Sequence, residues 1–170
     1  MIEKVDRNYL EINSIKDLKV SKNPNENCKI TLIDPPDFQL NKFFYKQVGK
    51  EHSWIDRLVW DDNKWINYVE NPKVKTYILK DSENLIGYFE IIFDFEKKQS
   101  EIAYFGILSE YFGKKYGGYL LSEAITKSFE KSIERVWVHT CSLDHKNALK
   151  NYLARGMKIF KSEKINVNVN

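Results

Sequence analysis

A short glycine-rich stretch with two adjacent lysines stands out among the residues that could do chemistry. Residues 112–118 read Phe-Gly-Lys-Lys-Tyr-Gly-Gly, and we call them the glycine-rich loop. Its glycines let the backbone turn tightly and leave amides uncovered where a helix begins. Uncovered amides and the helix dipole favour an anion, and Lys114 and Lys115 add positive charge. The segment predicts a phosphate-binding loop, although a connection that merely starts a helix would have the same composition.

Two common phosphate-binding motifs do not fit this loop. A Walker A loop ends in Gly-Lys followed by Ser or Thr, and that ending is absent here. A dinucleotide-binding fingerprint follows the first strand of an opening βαβ unit. The strand before this loop, residues 101–108, belongs instead to a predicted antiparallel meander. A phosphate-binding role for this loop therefore requires a fold other than these two.

Composition limits the possible classes of protein. The 170 residues are 42% apolar and 14% aromatic, which predicts one domain over residues 1–170 with a proper core. The formal charge is only +3, with both signs interspersed, so we expect no nucleic-acid partner. No stretch is long and apolar enough for a membrane span or a signal core, which predicts a cytoplasmic protein without a membrane partner. Cys28 and Cys141 are therefore interpreted as reduced thiols.

The first part of the chain predicts two short strands followed by two helices. The two strands are the apolar stretches Tyr9–Ile12 and Ile30–Ile33. A polar loop at Lys19–Asn27 separates them, and Pro35-Pro36 ends the second. Helical spacing then indicates a helix that ends at Gly49 and a second helix capped by Asp61 and Asp62. The predicted elements are strands at Tyr9–Ile12 and Ile30–Ile33 and helices at 38–48 and 61–71.

From residue 75 onward the pattern is clearer. Three β-rich runs joined by short polar turns predict an antiparallel meander, which a strand–helix–strand unit follows. Asp144 is the predicted N-cap of the next helix, and Gly156 is its predicted end. The predicted strands lie at 76–80, 85–93, 101–108, 135–140 and 157–167, with helices at 120–129 and 144–155. Together they predict an α/β domain with a mixed sheet, antiparallel first and parallel in the middle.

Two segments of this half resemble the GNAT N-acetyltransferase superfamily, over about residues 76–160. The glycine-rich loop occupies the place of the family's Q/R-x-x-G-x-G/A loop, with Gly117 at its last position. Phe112 stands where the family has Gln or Arg, and Lys115 replaces the first motif glycine. Because Lys115 carries a Cβ, we expect it to keep a negative φ. Residues 148–157, Ala-Leu-Lys-Asn-Tyr-Leu-Ala-Arg-Gly-Met, are similar to the family's A-x-x-x-Y-x-x-x-G-F segment.

The resemblance implies a GNAT acyl-CoA N-acyltransferase fold that binds acetyl-CoA and no metal. In that fold the third meander strand and the following parallel strand splay apart around the pantetheine arm, and the loop amides hold the pyrophosphate. The residues thereby implied in cofactor binding are Phe105, Gly106, Ile107, Leu108, Phe112, Gly113, Lys114, Lys115, Tyr116, Gly117, Gly118 and Tyr152.

The resemblance also implies two catalytic residues. Tyr152 matches the tyrosine that donates a proton to the CoA sulfur, and its alternative is a packed aromatic residue on a helix. Glu101 falls where some members carry a general base, and its alternative is an exposed carboxylate at a strand end. His139, near the end of the strand that lines the splay, could titrate near neutral pH, but a structural histidine is the favoured interpretation. Cys141 lacks an activating motif and is interpreted as structural.

The sequence thus predicts an enzyme that acetylates a primary amine on a small molecule or a peptide. The acceptor should enter over the first half of the chain, where aromatic residues and carboxylates could contact a cationic amine. An ordinary amphipathic helix pair would have the same composition and is the preferred interpretation of those residues. They are Tyr45, His52, Trp54, Asp56, Trp60, Asp61, Asp62 and Trp65. The alternative function is a non-catalytic acyl-CoA sensor, and a homodimer is possible in either case.

Overall fold

The computed structural model describes residues 1–130 and 132–169, which form seven strands, four α-helices and two short 3-10 turns. The strands are β1 (Ile2–Ile12), β2 (Cys28–Leu32), β3 (Val74–Asp81), β4 (Asn84–Asp94), β5 (Gln99–Ile107), β6 (Arg135–Cys141) and β7 (Lys158–Asn168). The helices are α1 (Phe38–Gly49), α2 (Asp62–Val69), α3 (Tyr116–Ser128) and α4 (Ala148–Ala154). The 3-10 turns are Ile15–Asp17 and Ser109–Tyr111.

All seven strands join one mixed sheet in the order β2-β3-β4-β5-β6-β1-β7. Strands β5 and β6 run parallel, as a crossover through α3 requires, and every other neighbouring pair is antiparallel. The predicted α/β class and mixed sheet are therefore confirmed, with the meander β3-β4-β5 on one side of the parallel pair.

The first strand differs most from its prediction. It begins at Ile2 and not at Tyr9, and it lies between β6 and β7, at the other end of the sheet from β2. Charged residues in its first half hide it from a search for apolar alternation. Ladders on both sides nevertheless satisfy its backbone groups, so its pairing does not depend on an apolar face.

The predicted N-cap of the last helix is wrong. Asp144 does not cap α4, because the N-cap residue is Asn147. The Asp144 carboxylate instead accepts hydrogen bonds from the Thr140 hydroxyl at 2.6 Å and from the Cys141 amide at 3.0 Å. It therefore closes the turn that follows β6. Helix α1 ends at Gly49, as the sequence predicted.

The two faces of the sheet carry separate apolar clusters. Helices α3 and α4 cover one face, where Leu120 and Leu121 pack against β-strand residues such as Phe89 and Val136. Helix α1 covers the other face, where Phe44 stacks on Tyr88 with ring centroids 4.8 Å apart. Because strand side chains alternate, neighbouring residues of β4 serve opposite clusters.

A buried ion pair lies on the α1 face. Glu90 on β4 is fully buried and Arg57 is 6% exposed, and Arg57 Nη1 lies 2.9 Å from Glu90 Oε2. Asn41 on α1 and Tyr68 on α2 also donate to this carboxylate, at 2.7 Å and 3.1 Å. Donors from α1, from α2 and from the segment between them thus converge on one sheet carboxylate, which fixes both helices to the sheet.

We expect Glu90→Gln to lower the free energy of unfolding by about 3 kcal/mol, because it leaves the Arg57 charge buried without a counterion. The measurement is urea denaturation. The matched control is Glu134→Gln, since Glu134 pairs with Lys98 on the surface at 3.2 Å, and the expected loss there is below about 0.5 kcal/mol. Equal effects of the two variants would contradict a stabilising role for the buried pair.

Candidate functional site

A cleft opens in the sheet where β5 and β6 part. The two strands pair at only three positions, which join Gln99, Ser100 and Glu101 to residues 135–137. The ladder between β4 and β5 shifts register after Glu90, with Ala103 as the extra residue of β5. Such a bulge bends a strand and increases its twist. The bulge lies just beyond the last β5–β6 pair, at the point where β5 turns away from its neighbour.

The cleft has a volume of about 1200 Å³ and reaches both faces of the sheet. Its walls include the second half of β5, the glycine-rich loop, the end of β6, α4 and the segment after α1. Beyond Glu101 the side of β5 that faces β6 has no ladder, so backbone amides and carbonyls there are available to a ligand. The predicted splay of these two strands is thus present.

The glycine-rich loop opens α3 at the rim of the cleft. Helix α3 begins at Tyr116, four residues before the predicted start, so Gly117 and Gly118 lie in its first turn. Its N-cap is Lys115, and no side chain makes a capping hydrogen bond. The first amides of the helix therefore remain available for an anion.

The backbone of Lys115 corrects one expectation. Its φ is +67° and its ψ is 15°, the left-handed conformation, whereas the sequence predicted a negative φ. Gly113 also has a positive φ, of +76°. The loop thus keeps a left-handed residue directly before α3, although a lysine and not a glycine stands there. For a residue with a Cβ that conformation costs about 1–2 kcal/mol.

Helix α4 supports the loop from the other side of the cleft. Asn151 donates a hydrogen bond of 3.1 Å to the carbonyl of Gly117. The Arg155 guanidinium lies against Gly118, where an added Cβ would come within 2.5 Å of Nη1. Arg155 Nε is buried and has no hydrogen-bond partner. The sequence analysis did not find Arg155 as a site residue, because its position beside the start of α3 depends on how two helices meet.

Tyr152 lies in the cleft wall on α4. It is 6% exposed, and its ring centroid is 6.4 Å from that of Phe105 on β5. Burial, and secondly the charge of Asp144, raise the pKa of the Tyr152 phenol well above its ordinary value. The hydroxyl therefore keeps its proton at neutral pH and can act as a donor inside the cleft.

Glu101 lies at the closed end of the cleft, in the last β5–β6 pair. Burial raises the pKa of its carboxyl above the ordinary value, and the Arg57 charge opposes that rise. A carboxylate with a raised pKa is a stronger base than an exposed one. The structure thus places Glu101 and Tyr152 along the same cleft.

Most of the residues predicted to bind the cofactor line the cleft. They are Phe105, Gly106, Ile107, Phe112, Gly113, Lys115, Tyr116, Gly117, Gly118 and Tyr152. Leu108 instead belongs to the buried α1 cluster, and the Lys114 ammonium lies 5.4 Å from the centre of the Tyr111 ring. Gly106 also has a packing role, because a Cβ there would overlap with Val48 on α1.

Three of the aromatic residues considered for acceptor binding, Tyr45, Trp60 and Trp65, surround a cation of the chain itself, together with Tyr68 and Tyr104. The Arg57 guanidinium lies 4.1 Å from the ring centres of Tyr68 and Tyr104 and 4.7 Å from that of Trp60. Tyr45 and Trp65 complete the group at 5.7 Å and 5.6 Å. This arrangement supports the packing interpretation for Trp60 and Trp65, since Arg57 occupies the place that a cationic ligand would need. Four other candidates, Tyr45, His52, Trp54 and Asp56, line the cleft.

Three histidines line the cleft. His52 and His145 have ring centroids 6.2 Å apart, and the His145 ring lies 4.9 Å from that of Phe112 in the glycine-rich loop. Burial lowers the pKa of His52 and that of His139, and the charge of Arg7 lowers the latter further. Both imidazoles are therefore neutral at pH 7.

Residues 1–130 and 132–169 contain no group of three His, Cys, Asp or Glu side chains arranged as metal ligands. None of the helices in those residues is long and apolar enough to span a membrane. Cys28 in β2 and Cys141 at the end of β6 are both free thiols.

Comparison with known families identifies a sequence relationship. The sequence profile of the acetyltransferase (GNAT) family matches residues 37–157, more than two thirds of the chain. No curated protein sequence matches the chain at a significant level.

Solved structures give the same relationship at the level of the fold. A GCN5-related N-acetyltransferase from Sphaerobacter thermophilus superposes with a TM-score of 0.69 at 14% identity, over 95% of this chain and 50% of the other. A GCN5-related N-acetyltransferase from Kribbella flavida superposes with a TM-score of 0.67 at 12% identity, over 97% of this chain and 58% of the other. An aminoglycoside acetyltransferase from an uncultured soil metagenomic sample superposes with a TM-score of 0.65 at 12% identity, over 78% of this chain and 90% of the other. The chain thus spans about half of the length of the first two, and at these identities the likeness shows the fold.

We expect Lys115→Gly to raise the free energy of unfolding by up to about 1 kcal/mol, because glycine adopts the left-handed conformation without a Cβ clash. Urea denaturation measures the change. Lys114→Gly is the matched control, since Lys114 has no positive φ and a glycine there only adds freedom to the unfolded chain. A destabilised Lys115→Gly would show that the lysine side chain contributes more than its backbone conformation costs.

Proposed function

The chain belongs to the acetyltransferase (GNAT) family, and on that premise we propose that it transfers an acetyl group from acetyl-CoA to a primary amine. The acceptor is a small molecule or a peptide. The observation that carries the proposal is the parting of β5 and β6 beside the uncapped start of α3. Unpaired strand amides and free helix amides then line one continuous cleft.

The cleft suits the chemical parts of acetyl-CoA. Gly117 and Gly118 would let the pyrophosphate approach the first amides of α3, and Arg155 supplies a nearby cation with a buried, unpartnered Nε. The unpaired edge of β5 suits the amides of the pantetheine arm, as an added strand would. Acetyl-CoA would supply an activated thioester at the inner end of this path.

The residues at the inner end suit the proton transfers of the reaction. An alkyl amine has a pKa of about 10.4, so it must lose a proton before it attacks the thioester carbon. Glu101 would accept that proton, directly or through water, and its raised pKa makes it a better base. An unpaired β5 amide would stabilise the oxyanion. As the carbon–sulfur bond breaks, Tyr152 would donate its proton to the thiolate.

Isothermal titration tests the cofactor. We expect acetyl-CoA and CoA to bind and ATP and NAD not to bind. Gly117→Trp should weaken binding of both CoA species at least tenfold, because the indole would fill the cleft in front of the helix amides. The nearest atom to an added Cβ at that position is Asn151 Nδ2 at 3.7 Å, so the start of the new side chain meets no overlap, and thermal unfolding verifies that the variant folds.

Thr126→Trp is the matched control, since Thr126 is exposed on the same helix and outside the cleft. It should bind acetyl-CoA as the unmodified chain does. If acetyl-CoA fails to bind at millimolar concentration, the transferase proposal is wrong. If acetyl-CoA binds but no amine in a broad panel is acetylated, the sensor alternative is favoured.

For an acetylated amine, we expect Glu101→Gln to lower kcat by about 100-fold or more with little change in KM. The base acts in its deprotonated form, so the rate should fall as the pH drops through the Glu101 pKa, which burial raises. That inflection should vanish in Glu101→Gln. His139→Gln is the control, and if it removes the inflection while Glu101→Gln keeps it, His139 is the base instead.

A further inference from the structure

Arg7 is a third guanidinium in the cleft, beside Arg57 and Arg155, and the proposed reaction gives it no task. It lies on β1, where its Cα pairs with Cys141 of β6 on one side and with Glu163 of β7 on the other. Its side chain is half-buried and lines the cleft near His139 and Asp144. Because β1 lies between β6 and β7, Arg7 is placed beyond β6 as seen from Glu101.

Arg7 makes no ion pair within the described part of the chain, although its charge contributes to the lowered pKa of Glu163 across the β1–β7 ladder. Its Nε is buried without a hydrogen-bond partner. The carboxylates of Glu163 and Asp144, which lie in the same region, bind other partners. Glu163 accepts from the Tyr9 hydroxyl at 2.7 Å and pairs with Lys161 at 3.3 Å. Asp144 accepts from Thr140 and Cys141 in the turn after β6.

A partly desolvated cation without a counterion is costly, so a ligand anion would relieve an existing penalty. Arg57 illustrates the contrast, since the same kind of group in the same cleft is saturated by Glu90. A guanidinium is also the side chain best suited to a carboxylate, which it binds through two parallel hydrogen bonds. The unsatisfied charge therefore selects for an anionic group on whatever enters this side of the cleft.

The surroundings of Arg7 favour the same class of ligand. The neighbouring His139 is neutral at pH 7, because burial and then Arg7 lower its pKa, so it adds no charge and can donate or accept a hydrogen bond. Arg7 adds a positive charge to this part of the cleft lining, which disfavours polycations. Along β6, Cys141, level with Arg7, lies four positions after Trp137, level with Glu101. That is an offset of roughly 13 Å along the strand, and the two strand spacings from β5 to β1 add about 10 Å across the sheet, so the extended side chains of Arg7 and Glu101 span only part of the distance between them.

We propose that the acceptor is an amine that also carries a carboxylate, such as an amino acid, and that Arg7 binds this carboxylate while the amine faces the gap between β5 and β6. The inference rests on the proposed acetyl transfer for its role, but the anion site rests on Arg7 alone. Arg7 is thus a specificity-determining residue for the acceptor.

The kinetic test compares acceptors that differ only in the carboxylate. The pairs are L-lysine with cadaverine and L-phenylalanine with 2-phenylethylamine, with acetyl-CoA as the donor and thiol release as the readout. We expect kcat/KM to be about 10–100-fold higher for the carboxylated member, the worth of a charged hydrogen-bonded pair. The preference should disappear in Arg7→Met and fall in Arg7→Lys, which keeps the charge but loses the fork.

Lys29→Met is the matched control. Lys29 is exposed on β2, at the opposite edge of the sheet, so the variant loses the same charge away from the cleft. It should keep the full preference. Thermal unfolding of each variant verifies that the fold is intact, and Arg7→Lys serves if Arg7→Met is unstable.

A binding test separates this inference from the proposed transfer. N-acetyl-L-phenylalanine and N-acetyl-2-phenylethylamine are titrated into the chain without CoA, with chemical shifts as the readout. Arg7-dependent binding of the carboxylated probe supports the anion site even if no amine is acetylated. Equal binding of the two probes, or a carboxylate preference that persists in Arg7→Met, overturns it. Equal or better turnover of the decarboxylated amines also overturns it and leaves the acetyl transfer standing.

Discussion

The early end of the β5–β6 ladder is the constraint on which the site depends. Two parallel strands that pair at only three positions leave one edge of each without partners inside the protein. Buried backbone groups rarely stay unpaired, so such an edge calls for a ligand or water. The bulge at Ala103 turns β5 away, α3 begins on one side of the opening, and α4 brings Tyr152 and Arg155 to the other. The sheet backbone therefore forms the cleft, and the side chains line it.

The Arg57–Glu90 pair stabilises the opposite wall. It holds the segment between α1 and α2 against β4, and its aromatic shell includes Tyr104 on the bent part of β5. The arrangement gives several aromatic residues of this stretch a packing role that needs no ligand. An internal guanidinium already occupies the aromatic faces, and one buried carboxylate neutralises it. The pair thereby fixes this wall of the cleft to the sheet, and Arg7 lines the same cleft without an ion pair.

Much of the fold could be predicted from the sequence, because period and turn chemistry are local. The meander, the crossover through α3 and the place of the glycine-rich loop all follow from patterns within about ten residues. The position of β1 could not be predicted, since alternation tells which face a residue takes but not which strand lies beside it. For the same reason, the sequence could not predict that Arg7 and Arg155 line the cleft. Nothing local distinguishes Arg7 or Arg155 from a surface arginine, and only the pairing of β1 with β6 and the packing of α4 on α3 bring them to the cleft.

The left-handed Lys115 bears on whether an altered loop means a lost function. Had the lysine forced a negative φ, the turn before α3 would differ and the first amides would point elsewhere. The backbone instead keeps the positive φ that a glycine would adopt at lower cost, and α3 starts without a side-chain cap. The rest of the fold therefore imposes the loop geometry against the preference of the residue. Strain of this kind persists only where surrounding contacts hold it, and it is concentrated at functional sites. Because Ser82 and Lys98 in ordinary turns share this conformation, the positive φ alone does not mark a site. The substitution weakens the resemblance in sequence, while the left-handed residue and the uncapped helix start are both retained, which supports the proposed cofactor loop.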